Sequence, residues 1–179
     1  MTSLEWTGLD TPVGRVSVGC SPAGVAKVRF GQPPPEGSPA APNGLAYVAR
    51  LQLAEYFCGQ REHFELPLDW TYTEGTQRHV LEVLAGSVGY GQTTSYGALA
   101  SSAGLTATGD VPPARAVGKI MGSNPIPVVV PCHRVLASDG LGGYSGGAGP
   151  EVKRWLLILE GSMPPTLDWQ PAMPPGPDG

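Results

Sequence analysis

Residues 124–134, Asn-Pro-Ile-Pro-Val-Val-Val-Pro-Cys-His-Arg, leave the backbone few courses. Pro125, Pro127 and Pro131 each fix φ and remove an N–H, so the stretch can be neither a central strand nor the interior of a helix. The β-branched residues between them are stiff and apolar, and the last proline stands directly before Cys132. Such a backbone holds one position still, and that position is a thiol with an imidazole, His133, beside it. A thiol attacks only as thiolate, and a neighbouring base or a helix N-terminus lowers its pKa from a free value of about 8.5. Cys132 is therefore the candidate nucleophile, although the dipeptide alone fits a small buried hydrophobe at least as well.

The chain has 179 residues, enough for one domain or two small ones with a buried core. Residues 1–10 lack a basic start and an apolar stretch, and no apolar run approaches the roughly 18 residues of a membrane span. This points to a cytoplasmic protein with no membrane contact. Cys20, Cys58 and Cys132 are odd in number and show no CxxC spacing, which argues against a disulfide framework or a zinc cluster. Cys20 and Cys58 are expected to be structural, His63 and His79 to be ordinary surface or core histidines, and neither metal nor cofactor is expected.

A net charge of −4 argues mildly against nucleic acid as a partner, but its distribution matters more. Residues 1–75 carry five basic side chains against eight acidic ones, a net of −3. Residues 76–134 carry Arg78, Arg115, Lys119 and Arg134 against Glu82 and Asp110, a net of +2 beside the candidate thiol. That surplus suits a few phosphate contacts and a shallow dependence on salt.

Valines alternate through residues 14–30 around the turn signal Ser21-Pro22-Ala23-Gly24, as in a hairpin. A Pro-, Gly- and Ala-rich loop follows over residues 31–44. Val48, Leu51, Leu53, Ala54 and Phe57 then predict a helix over residues 45–57 with Gly59 past its end, and residues 65–72 read as a strand. Val80, Leu81, Val83 and Leu84 predict a helix from Thr76. A short helix over residues 97–103 and a second from Pro113 to Met121 read as a helix-turn-helix, with a long polar connection over residues 105–112. The last helix spans residues 150–160, and residues 162–179 form a proline-rich loose tail.

The order and spacing of several blocks carry more than composition does. They are Gly91-Gln92-Thr93-Thr94-Ser95-Tyr96, Arg115-Ala116-Val117-Gly118, Asn124-Pro125, Pro131-Cys132-His133-Arg134-Val135, Gly142-Gly143-Tyr144-Ser145-Gly146-Gly147 and Lys153-Arg154-Trp155-Leu156-Leu157 running to Glu160. Together they resemble the O6-alkylguanine-DNA alkyltransferase family, strongly over residues 75–161 and loosely before that. Thr76 and Leu81, and the length of the 105–112 connection, depart from the family's usual pattern.

The resemblance implies an α/β (α+β) fold. A ribonuclease H-like sheet lobe over residues 1–72 precedes a mainly helical lobe, 75–161, with the helix-turn-helix and the cysteine loop. It implies a monomer that binds double-stranded DNA containing O6-alkylguanine, flips the lesion out, and moves the alkyl group irreversibly to Cys132. His133 would accept the thiol proton through a bridging water, Glu160 would orient the imidazole, and Asn124 would tie the helix end to the cysteine loop. Arg115 would fill the vacated stack and Tyr96 would turn the phosphate and bond the base. Ala116 and Gly118 would allow a close approach to the minor groove. Arg134, the Val135 backbone, Tyr144 and Ser145 would complete the DNA and base contacts. Two other readings are a non-catalytic alkyltransferase-like lesion-binding protein, whose nucleophile position typically holds Trp, and, more distantly, a Cys-His hydrolase.

Overall fold

A computed structural model describes residues 3–36, 39–144 and 149–165 of the chain. The first lobe is an antiparallel sheet in the order β1 (Glu5–Thr11), β2 (Gly14–Ser21), β3 (Gly24–Phe30). Leu9 faces Val16 and Val16 faces Phe30 across the strands, so the valine alternation seen in the sequence lies on the buried side. Strand β1 is an element the composition did not announce: Trp6 and Leu9 are buried, but Gly8 and Asp10 interrupt the pattern. The Trp6 ring lies across Gly19, where a Cβ would come within 2.7 Å of it, so only glycine lets the two strands close at that point.

Helix α1 (Leu45–Phe57) packs on this sheet. Its buried stripe is Ala46, Ala49, Leu53, Tyr56 and Phe57, while Val48 and Leu51 face outward. Ala46 and Ala49 are fully buried, and the larger Val48 and Leu51 stand off that stripe. Gly59, at φ +72°, ends the helix with its N–H on the Tyr56 carbonyl. Cys58, expected to be structural, is exposed.

Residues 65–72 do not form the expected strand. A single parallel bridge joins Leu68 to Val25, Pro67 cannot donate to a ladder, and Asp69 caps a 3-10 turn over Trp70–Tyr72. Buried Asp69 also accepts the Ser21 hydroxyl at 2.5 Å, which fastens the turn to the sheet.

The second lobe begins with α2 (Gly75–Ser87), whose Val80, Leu81 and Leu84 are fully buried. A two-residue strand β4 (Thr94–Ser95) leads into α3 (Tyr96–Ser102), where the Ser95 hydroxyl caps the Ala98 N–H. Helix α4 (Pro113–Gly122) starts on proline, whose missing N–H costs nothing in the first turn. The connection between α3 and α4 is exposed and turns at Gly109, with Val111 bonded back to Thr108. The cysteine loop then runs into a 3-10 turn over Cys132–Arg134 and strand β5 (Val135–Leu136), parallel to β4. Helix α5 (Gly149–Leu159) is the last helix of the described residues.

The two lobes share one buried core. The Val28 N–H reaches the Pro125 carbonyl at 2.9 Å, Phe57 packs on Trp155, and Phe30 meets Tyr144 edge-on. The sheet lobe therefore braces the cysteine loop from behind. Among the described residues no helix is long and apolar enough to cross a membrane, and no cluster of metal-ligating side chains occurs. His79 bonds the Ala103 carbonyl, a tie between α2 and the end of α3.

Candidate active site and DNA-facing surface

The loop that carries the thiol is built on Asn124. Its side-chain N–H donates to the Val130 carbonyl at 2.9 Å and its oxygen accepts from the Ile126 N–H at 3.0 Å, so one side chain closes the proline-interrupted turn from both ends. Inside that turn Val128 adopts φ +74°, a left-handed conformation that costs a β-branched residue on the order of 1–3 kcal/mol. The strain is held because Ile126, Val128 and Val130 are all buried. Cys132 emerges with its N–H on the Val130 carbonyl and is almost wholly enclosed.

Burial pushes the Cys132 thiol up to about 11, against the pull of a hydrogen bond from Asn124 and of the charge on Lys153. At neutral pH the resting group is a thiol and needs a base. His133 lies in the same 3-10 turn, fully buried, with Nε2 2.8 Å from Glu160 Oε1. Burial raises the Glu160 carboxyl, but the hydrogen bonds and charges of His133 and Arg134 outweigh that and hold it at about 2. An ionised carboxylate only accepts, so Nε2 carries the imidazole hydrogen. Burial keeps His133 below its ordinary value, which leaves the ring neutral at pH 7 and Nδ1 a bare lone pair. That Nδ1 is buried and makes no hydrogen bond among the described residues.

Arg134 corrects an expectation. The resemblance implies DNA contacts for it, yet it points inward, 6% exposed, with Nε 2.9 Å from Glu160 Oε2, Nη2 2.9 Å from Glu160 Oε1 and Nη1 2.8 Å from the Val88 carbonyl. Its guanidinium is spent on neutralising Glu160, and it adds nothing to the surface charge. Arg78 pairs with Glu82 along α2, so the outward-facing charge of this stretch comes down to Arg115 and Lys119 against Asp110.

Arg115 lies in the first turn of α4, exposed, its N–H on the Pro112 carbonyl and its side chain without a hydrogen bond or ion pair among the described residues. Beside it, Ala116 is half-buried, and a Cβ at Gly118 would meet nothing within 4 Å, so this face is smooth and open. Tyr96, at the start of α3, directs its hydroxyl toward the Gly143 carbonyl at 3.4 Å. The loop bends around it: Gly142 sits at φ +71°, and a Cβ there would stand 2.8 Å from the Tyr96 hydroxyl. Buried Val135 offers its backbone between β4 and the loop. The Tyr144 hydroxyl is buried without a hydrogen-bond partner among the described residues. Ser145 lies outside the described residues.

Two residues of this region escaped sequence reasoning. Lys153, on α5, is fully buried and donates to the Val135 carbonyl at 2.6 Å and the Gly143 carbonyl at 3.1 Å, its pKa lowered by burial to about 8. Beyond its place in the 153–157 block, its signal is a lysine inside the apolar stripe Val152, Trp155, Leu156. Tyr56, on α1, donates to Glu160 Oε1 at 2.6 Å from 104 positions away, and no local pattern marks it.

Helices α3 and α4 pack on each other with an exposed arginine on the second, and the same lobe holds a buried thiol next in sequence to an imidazole bonded to a carboxylate, the outline of a DNA-binding protein with a cysteine site. Residues 75–162 match the family model described as 6-O-methylguanine DNA methyltransferase, DNA binding domain. The methylated-DNA–protein-cysteine methyltransferase of Rattus norvegicus is 36% identical, the match covering 88% of this chain and 82% of the relative. A DNA base-flipping protein of Thermus thermophilus is 38% identical over 87% of this chain and 99% of its own length. Among solved structures, Mycobacterium tuberculosis OGT in complex with DNA superposes with a TM-score of 0.73 at 35% identity, covering 88% of this chain and 93% of the other. The chain belongs to the family of methylated-DNA–protein-cysteine methyltransferases, enzymes of DNA repair by alkyl transfer.

Proposed function

We propose that this protein repairs O6-alkylguanine in double-stranded DNA by moving the alkyl group to Cys132, once per molecule. The observation that carries the reading is the placement of His133, with Nε2 on Glu160 Oε1 and a buried Nδ1 without a partner among the described residues, in the same turn as the buried Cys132 thiol. In the step, His133 Nδ1 takes the Sγ proton through a bridging water and the sulfur bonds to the alkyl carbon. The carbon–oxygen bond breaks with its electron pair leaving on O6, and the proton returns to the guanine. A thioether is not expelled again, so the protein is consumed.

The base reaches the thiol by flipping, at a cost of a few kcal/mol. Arg115 fills the gap in the stack while Ala116 and Gly118 let α4 lie against the groove. Tyr96 turns the phosphate, and Tyr144 and Ser145 line the base. The Val135 carbonyl holds Lys153 with one lone pair and meets the exocyclic amine with the other. The tuned groups at the thiol are the kind that mark functional sites, which supports these roles. The protein works in the cytoplasm as a monomer, with residues 1–72 as scaffold lobe and 75–161 as the transfer lobe.

A second reading, lesion binding without transfer, is favoured by the relative named as a DNA base-flipping protein. The full chain incubated with duplex DNA containing O6-methylguanine and then weighed by mass spectrometry separates the two. One methyl group on Cys132 per molecule is the expected result. Tight binding with no mass gain supports the second reading, and repeated turnover rules out the single-use mechanism.

A further inference from the structure

Glu160 Oε1 accepts three donors: Tyr56 Oη at 2.6 Å, His133 Nε2 at 2.8 Å and Arg134 Nη2 at 2.9 Å. Two of them belong to the cysteine turn, but Tyr56 comes from α1 in the sheet lobe. Its ring is fully buried and held by Phe57, Phe64 and Tyr90, with centroids 5.3 to 6.2 Å away, so the hydroxyl has one direction available. Against an ionised carboxylate a phenol can only donate, and burial together with the Glu160 charge keeps Tyr56 protonated.

Charge drawn toward one donor is withheld from the others. A carboxylate oxygen that also accepts from Tyr56 is a weaker partner for an imidazolium at His133 than one that does not. The same bond fixes the carboxylate plane, which fixes the ring plane of His133 and the aim of its bare Nδ1. We propose that Tyr56 is a positioning residue of the transfer site: through Glu160 it sets both the orientation and the basicity of His133, and so joins the sheet lobe to the proton relay. This deepens the alkyl-transfer reading above and rests on it for its functional meaning.

Several charged or titratable groups bear on His133. Glu160 sits at the end of α5, Arg134 and Cys132 share its turn, and Lys153 approaches from α5. Tyr144 couples to Cys132 and Glu160. Tyr56→Phe changes none of these and removes one oxygen, so a shift in the His133 titration reports the hydroxyl alone. The direction follows from the charge: with one donor fewer, Glu160 stabilises the imidazolium more, and His133 binds a proton at higher pH.

The test is an NMR titration of the His133 ring nitrogens in the full chain, wild type against Tyr56→Phe, with the rate of reaction on free O6-benzylguanine followed over the same pH range. Both the His133 titration and the acid limb of the rate are expected to move up by about half a pH unit, leaving roughly threefold fewer neutral rings below that limb. Tyr90→Phe removes a hydroxyl of the same aromatic cluster that bonds the Leu159 carbonyl instead, and is expected to leave the titration in place. An unmoved His133 titration in folded Tyr56→Phe, or an equal shift in Tyr90→Phe, overturns the proposal. In the wild type a slowly exchanging, downfield Tyr56 hydroxyl proton is expected as well, and its absence overturns the proposal even where the variant does not fold. If wild type gives no alkyl transfer, the functional reading fails, while the titration still decides whether Tyr56 governs His133.

Discussion

Arg134 holds Glu160 by two parallel hydrogen bonds of 2.9 Å, from Nε to one carboxylate oxygen and from Nη2 to the other, both side chains out of water. A planar fork of this kind matches a carboxylate in a way that an ammonium cannot. The pair is the electrostatic keystone of the cysteine turn, and its removal exposes what it neutralises.

Arg134→Ala is expected to cost about 3–5 kcal/mol of stability, because the remaining buried carboxylate loses its counter-charge. Arg134→Lys should recover only part of it. Urea unfolding of the three proteins measures this, and a loss below about 1 kcal/mol in the alanine variant would mean that Glu160 finds water when Arg134 is gone.

Stability is expected to fall with acid in two stages. His133 is held below its ordinary 6.5 by burial, so the unfolded chain takes up that proton first and stability begins to drop as pH falls past that value. Glu160 is depressed from 4.5 to about 2, so its contribution is complete above 4.5 and disappears as pH falls through that window. The second stage is worth on the order of 3 kcal/mol. Asp69, lowered by hydrogen bonds from Ser21 and Thr71, titrates in the same direction and stays in place when Glu160 is changed. Urea midpoints between about pH 6 and about pH 3 should therefore decline less steeply in Glu160→Gln than in wild type, each relative to its own value at the upper end. Equal slopes would show that Glu160 is not depressed.

Lys153→Met is expected to slow transfer by at least about tenfold on duplex DNA and on free O6-benzylguanine alike, since it releases the Val135 and Gly143 carbonyls, which the proposed function places at the base. Slowing on duplex alone would move the role of Lys153 to the DNA face.

Arg115→Ala should slow repair in duplex DNA by about 1–3 kcal/mol of activation free energy, the scale of stacking between bases and side chains, and leave the reaction with the free base nearly unchanged. Arg115→Lys should recover charge and only part of the rate, because ammonium lacks the flat face of guanidinium. Equal slowing on both substrates would remove the intercalating role.

Local chemistry was enough to write much of this protein from its residues. The bounds of α1, the proline start of α4, the turn at Pro22-Ala23 and the adjacency of thiol and imidazole all depend on neighbours within a few positions, where backbone sterics and capping act. Residues 65–72 show the limit: their composition favours a strand, but pairing needs a free edge with matching register, and the sheet offers them one bridge. Arg134 shows it more sharply. In the sequence it is a cation beside a nucleophile, and only the arrival of Glu160, 26 positions later, together with the Val88 carbonyl from α2's end, decides that it faces inward. Tyr56 and Lys153 gained their places the same way, from partners 104 and 18 positions distant. Burial of a polar group depends on which remote atoms come within 3 Å to satisfy it, and that is set by packing between lobes, a quantity no local pattern contains.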